Sequence, residues 1–403
     1  MGLQSRIYWA VFPFLVDFDM FSKKHYSVLI LGLLVFASCK KLLIKPDPTS
    51  EPERNFEIFW NDLHNGYPYF QEDGIDWKSR YDKFRNMVGS TTTTDQLYSV
   101  ITQMLSGFSD GHLSVSYKKN YFSNEKGTAN VFQLVRTEKS GNNGASSESI
   151  RFYYENYLAI NKLYIDNSTY KVLTAPNVVN PTQTDTIFIY GKIAGNDILY
   201  VNILSFLTSA SVENMIRTAI TTYPSVKGMI LDLRMNEGGN LGVMWNAMSV
   251  FLPLGVGEIT YGYNREKVGP LPENFGPELR FAVGGNNRLP KFLGSIVVLT
   301  NRFTISAAEH ATMAMRQIKA FNKQIKIVGD YTFGATSFIV QRTLPCGIEY
   351  TLVNNKTWDI NRNIVERTGI KPDEFVYMTE TGLQKSTDEQ MERAIEIIDK
   401  NQF

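Results

Sequence analysis

Between residues 198 and 328 the chain alternates short apolar runs with helix-patterned segments, and this alternation most restricts its fold. Residues 199–203, 227–233, 296–299 and 325–328 are rich in β-branched and aliphatic side chains. They are too short for helices and read as buried strands. Residues 212–223, 241–251 and 307–318 lie between or after them with apolar positions at helical spacing. Strands linked through helices run mostly parallel, with helices covering the sheet. The expected class is α/β in this core and α+β overall. Residues 350–353 and Trp358 read as further β structure. Residues 386–400 read as a closing helix with a Ser386…Glu389 capping box.

The preceding segments differ in style. Phe56, Phe59, Trp60 and Leu63 share a helical face, as do Tyr81, Phe84 and Val88. Leu97, Val100, Ile101, Met104 and Leu105 form a third face after a cap region at Thr94-Asp95. The spacing predicts an N-terminal helical domain over 56–117, carrying His112 in its last turn. Residues 118–195 are rich in Tyr, Thr, Asn and Ser, with strand-like pieces at 150–154 and 186–190 and a turn at Asn142-Asn143-Gly144. They read as a β-rich middle segment. A catalytic core is expected over 196–380 and a C-terminal helix over 381–403. A length of 403 residues accommodates such an organisation.

The N-terminus reads as an export segment over 1–39. Lys23-Lys24 precede an apolar run at 28–37 that ends in Ser38-Cys39. That is the order of a signal peptide, and the run is short for a membrane span. Cys39 after small residues resembles the lipid-modified cysteine of bacterial lipoproteins, which places the protein in the cell envelope on a lipid anchor. Met20 is a plausible start for this signal. Residues 40–55, rich in Pro and charge, read as a linker. The other cysteine is Cys346, so a lipidated Cys39 leaves no intramolecular disulfide and no cysteine-ligated metal site. With 41 basic and 40 acidic residues, the charge balance argues against nucleic acid as a partner.

Two turns carry the chemistry. The polar turn after 296–299 leads to Ser306, where an Ala-rich helical pattern begins. A serine there is either a helix cap or a nucleophile beside free N–H groups and the positive helix end. In 232–240 (DLRMNEGGN) a buried strand meets paired glycines and then a helix. Such glycines expose N–H donors and suit an oxyanion site; no Lys-Ser/Thr follows to make a phosphate cradle. The histidines are His25, His64, His112 and His310. His310, one turn beyond Ser306, reads as a packed residue, because helical side chains lean toward the helix start. His112 is then the available base. The loop 329–337 (GDYTFGATS) is placed for substrate contact.

These motifs resemble, in order, those of the C-terminal processing peptidase and tricorn-type serine peptidase superfamily: DGHLSV at 110–115, LDLRMNEGGN at 231–240, VVLTNRFTISAAE at 297–309, GDYTFGATS at 329–337 and GIKPDEFV at 369–376. The resemblance implies a ClpP/crotonase-like ββα core, with Ser306 as nucleophile and the N–H groups of Gly239 or Gly238 and of Ala307 as oxyanion hole. It implies a protein or peptide substrate and no cofactor or metal. The processing-peptidase lysine position is Ala335 here, which points to the tricorn-like branch and to His112 as base. Glu366 matches that branch's glutamate; Gly111 replaces the serine before the histidine. Glu366, Asp110 or Ser114 could orient His112. The rival readings are a catalytically degenerate peptide- or lipid-binding protein of the same fold and, from another class, a crotonase-like acyl-CoA enzyme.

Overall fold

The computed structural model describes residues 51–108, 110–123, 156–178, 180–377, 382 and 385–403. The export segment with Cys39, most of the linker, the turn at 142–144 and the piece at 150–154 lie outside the described residues.

Among the described residues four helices come first: α1 (Pro52–Gly66), α2 (Phe70–Asp73), α3 (Trp77–Arg85) and α4 (Thr94–Leu105). Asp76 caps α3 by accepting from the Ser79 N–H at 2.9 Å, and Thr93 with Gln96 forms a capping box on α4. Phe56, Phe59, Leu63, Trp77, Phe84, Leu97 and Ile101 meet in one core. Helices alone do not close it. β1 (Ser114–Tyr117) and β2 (Asn120–Ser123) form a hairpin. β1 also pairs antiparallel with β12 (Glu349–Val353), which pairs with β11 (Ile339–Thr343), and Leu344, Ile348, Tyr350 and Leu352 complete the core. The helical unit is therefore built from both ends of the chain.

The main sheet has seven strands in the order β14-β10-β9-β6-β5-β4-β3. β5 (Ile198–Ile203), β6 (Gly228–Asp232), β9 (Ser295–Thr300), β10 (Ile325–Gly329) and β14 (Glu374–Phe375) are parallel neighbours. Side chains alternate across the sheet as a two-residue period requires. Leu199, Val201, Met229, Leu231, Ile296 and Val298 share a core with α5 (Val212–Thr222), α6 (Leu241–Met248) and α7 (Ala307–Ile318). Ile198, Tyr200, Ile230, Val297 and Leu299 face Met391, Ala394 and Ile397 of α8 (Glu389–Lys400). A third sheet joins β7 (Glu258–Glu266), β8 (Leu279–Gly284) and β13 (Asn355–Asp359).

Two expectations change. β3 (Lys171–Pro176) and β4 (Thr184–Lys192) belong to the main sheet, and β4 pairs with β5, so residue 196 does not mark a break in it. The polar composition of 118–195 hid this, because burial in β4 is confined to its second half and β3 is a largely exposed edge. The closing helix starts at Glu389 rather than Ser386. Its cap is Asp388, which accepts from the Met391 N–H at 2.9 Å. The Asp388 carboxylate also pairs with buried Arg234 (2.9 Å), whose other partners include Gln390 and Asp232. Tyr157 and Tyr200 hydroxyls donate to Asp232 at 2.8 and 2.9 Å. This network fixes α8 to the end of β6. Among the described residues, no helix is long and apolar enough to cross a membrane.

Candidate active site

Three adjacent parallel strands, β10, β9 and β6, end together, and the loops after them carry the motifs. This is where open α/β sheets bind ligands. Ser306 follows β9 at the N-cap position of α7 with φ +56° and ψ −118°. A non-glycine residue rarely holds that conformation, and such strain persists only where surroundings impose it. The surroundings here are explicit. Buried Glu309 accepts from the N–H groups of Ser306 (3.1 Å), Gly334 (2.7 Å) and Ala335 (2.7 Å) and from the Thr332 hydroxyl (2.6 Å). The Ile305 N–H donates to the Asn236 carbonyl at 2.9 Å. One carboxylate thus ties the serine turn to the glycine-rich loop, and one main-chain bond ties it to the double-glycine turn.

The double-glycine turn lies against Ser306. A Cβ on Gly238 would stand 2.7 Å from Ser306 Cβ and 2.9 Å from the Ala307 nitrogen, so only glycine fits. The Gly238 N–H is already engaged, donating to Asn236 Oδ1 at 2.8 Å. Asn236 Nδ2 in turn donates to the Ile203 carbonyl at 2.9 Å. The Gly239 and Ala307 N–H groups have no acceptor among the described residues. Of the two glycines, Gly239 is therefore the one with a donor to offer.

His112 lies in the turn before β1, and Glu366 in the segment between β13 and β14. Donor atoms of Asp110, His112 and Glu366 lie within 4.8 Å of one another. Asp110 Oδ1 accepts from the His112 N–H at 2.8 Å. Glu366 Oε2 accepts from the N–H and hydroxyl groups of Thr336 (2.8 and 2.9 Å) and of Ser337 (both 3.1 Å). The second oxygen of each carboxylate, and His112 Nδ1, are buried without a hydrogen-bond partner. Thr336 connects this cluster to the serine helix, since its carbonyl lies 2.9 Å from His310 Nε2. His310 is packed edge-on to Phe281 with ring centres 4.6 Å apart. Ser114 points elsewhere, with its hydroxyl 2.7 Å from that of Thr351. At position 111 a side chain would meet the Phe333 ring at 2.6 Å, so this ring fills the space a serine would need.

The Peptidase family S41 model matches residues 197–376, and the Tricorn protease C1 domain model matches residues 48–106. The chain belongs to the S41 peptidase superfamily. It is a serine-type peptidase. A structure described as that of a candidate peptidase from Parabacteroides merdae is similar over 87% of this chain and 97% of its own, at 24% identity and a TM-score of 0.68. Mature CPAF is similar over 86% of this chain and 96% of its own, at 9% identity and a TM-score of 0.55. The photosystem II D1 C-terminal processing protease aligns more loosely, over 81% of this chain and 93% of its own, at 13% identity and a TM-score of 0.46. No curated protein sequence matches significantly.

Burial sets the protonation of this S41 peptidase's polar cluster. It lowers His112 to about 4, with His310 adding. It raises Glu366 to about 8, with the Asp110 charge adding and the Thr336 hydrogen bonds opposing. It raises Asp110 to about 6, opposed by the His112 N–H. Burial also raises Glu309, against its hydrogen bonds. In the S41 peptidase, Glu309 and Asn236 are the positioning residues that reading the sequence missed. The signal for Glu309 was the Ser-x-x-Glu spacing at a helix start.

Proposed function

We propose that this peptidase is an exported serine endopeptidase in which Ser306 attacks the peptide carbonyl and His112 takes its proton. His112 then returns the proton to the leaving amine. The Gly239 and Ala307 N–H groups hold the oxyanion, and Glu366 Oε1 orients His112 through Nδ1, leaving Nε2 for the serine. The observation that carries this reading is the Ser306 backbone at φ +56° and ψ −118°, together with two N–H groups that have no acceptor among the described residues. A cap needs no such strain, whereas a nucleophile held out on a sharp strand-to-helix turn does. With Ala335 buried at the lysine position and donating its N–H to Glu309, that position supplies no base. Export and lipid anchoring at Cys39 follow from the Lys23-Lys24, apolar run and Ser38-Cys39 order.

Fluorophosphonate labelling of the purified protein tests the mechanism. Wild type should label at Ser306 and cleave a denatured protein substrate, while a folded Ser306→Ala variant should do neither. Undiminished cleavage by Ser306→Ala refutes the nucleophile. A folded wild type that does not label favours the degenerate binding protein.

A further inference from the structure

We propose that Asp110, His112 and Glu366 form an inhibitory Zn²⁺ site, in which the ion captures the catalytic base from behind. The proposal rests on the reading of His112 as that base. Each carboxylate has one oxygen held and one unheld. Asp110 Oδ1 is engaged by the His112 N–H, and Glu366 Oε2 by the Thr336 and Ser337 groups. Asp110 Oδ2, Glu366 Oε1 and His112 Nδ1 are the three atoms left buried without partners, on residues that are 1%, 2% and 9% exposed. One ligand atom from each of the three residues lies within 4.8 Å of the other two.

The charge balance points the same way. The nearby cation Arg367 is committed to Asp73 at 2.9 Å. That leaves two buried carboxylates with no cation paired to either among the described residues. Burying two carboxyl groups with no cation beside them is costly whether they ionise or keep their protons, and a divalent ion offsets both at once.

One imidazole and two carboxylates at a buried three-donor site suit Zn²⁺ with an open fourth position; Mg²⁺ and Ca²⁺ prefer all-oxygen shells with more ligands. Bonds of about 2.1 Å in a tetrahedron put ligand atoms roughly 3.4 Å apart. From separations of 4.8 Å or less, the ligand atoms must draw together by roughly 1.4 Å or less to reach that spacing. A Zn²⁺ on Nδ1 displaces Glu366 from the ring and sets a positive charge where an imidazolium must form. The base can then no longer accept the Ser306 proton.

Calorimetric titration of the purified protein with ZnCl₂ tests this, with Co²⁺ absorption as a second readout of the coordination shell. One ion should bind per chain, with a tetrahedral Co²⁺ spectrum, and peptidase activity should fall with the same half-saturation and return on chelation. Ser306→Ala and His64→Gln should bind Zn²⁺ as wild type does. Glu366→Gln and His112→Ala should each weaken binding by about 100-fold or more, since even outer-shell partners are worth 10–100-fold. Should one of these variants not fold, the other decides. Absence of stoichiometric binding, binding that survives a folded Glu366→Gln or His112→Ala, or saturation without inhibition overturns the proposal. These outcomes separate it from the catalytic reading: active wild type that binds no zinc sinks the site alone, and an active Ser306→Ala sinks the nucleophile while the titration stands.

Discussion

At the scale of single residues, strain and burial are the two levers. Ser306 holds a backbone conformation that costs roughly 1–3 kcal/mol for a side-chain-bearing residue. Ser306→Gly should relieve it and Ser306→Ala should not. Both should be inactive, with the glycine variant the more stable by about 1 kcal/mol in urea unfolding, after the entropic cost of glycine. The second lever is protonation. In the proposed mechanism a protonated Glu366 donates to Nδ1 and leaves the proton on Nε2, which makes His112 a donor and not a base. With Glu366 at about 8 and His112 at about 4, turnover should rise as pH passes 8, not at the 6–7 of an unperturbed imidazole. In Glu366→Gln the Thr336 and Ser337 N–H groups hold the amide oxygen, so the NH₂ faces Nδ1 and enforces the wrong tautomer. Loss of about 10⁴-fold in kcat is expected, as for the comparable carboxylate-to-amide change in a Ser-His-Asp triad, and the rise near 8 should vanish. Stability follows the same linkage. The folded-state pKa of Glu366 is raised, so its contribution is fully present below its unfolded value and is lost as pH climbs through 8. The depressed His112 acts oppositely below 6.5. Between pH 6.5 and 8 the wild-type Tm should therefore fall with a steeper slope than that of Glu366→Gln.

At the scale of elements, what the sequence made legible was local. Periodicity located β5, β6, β9, β10 and the helices between them, and glycine chemistry marked the turn beside Ser306. What it hid were contacts that only topology creates. The Ser386…Glu389 spacing looked like a cap, yet Asp388 holds that role because it also meets Arg234 from the end of β6. Asp388→Ala removes a cap and one partner of a buried guanidinium together. It should cost about 3 kcal/mol in chemical unfolding, whereas Asp388→Asn, which still caps, should cost clearly less. The Ser-x-x-Glu spacing marked Glu309 as a capping residue but not as an anchor, for a related reason. Its four donors come from its own turn and from a loop more than twenty residues away. Gly238 and Gly239 were likewise indistinguishable until Asn236 was seen to occupy one of them.

At the scale of the whole molecule, the proposed base and the proposed nucleophile belong to different cores. His112 stands at the foot of β1, whose Val115 is part of the aromatic core of the N-terminal helices, while Ala307 and the helix after Ser306 belong to the core of the main sheet. Polar contacts across the join include the Tyr69 hydroxyl with Ser337 Oγ at 2.8 Å, the Thr357 N–H donating to the Tyr69 hydroxyl at 3.1 Å, and Arg367 with Asp73 at 2.9 Å. Hydrolysis requires both halves in register, but secondary structure does not. On heating, peptidase activity should disappear several degrees before the far-ultraviolet circular dichroism changes, and Arg367→Ala should widen that gap. Coincident loss of the two signals in wild type would show the halves melting as one. If the proposed base and nucleophile stand one on each side of the join, the working temperature of this protein is set by its seam and not by its strongest core.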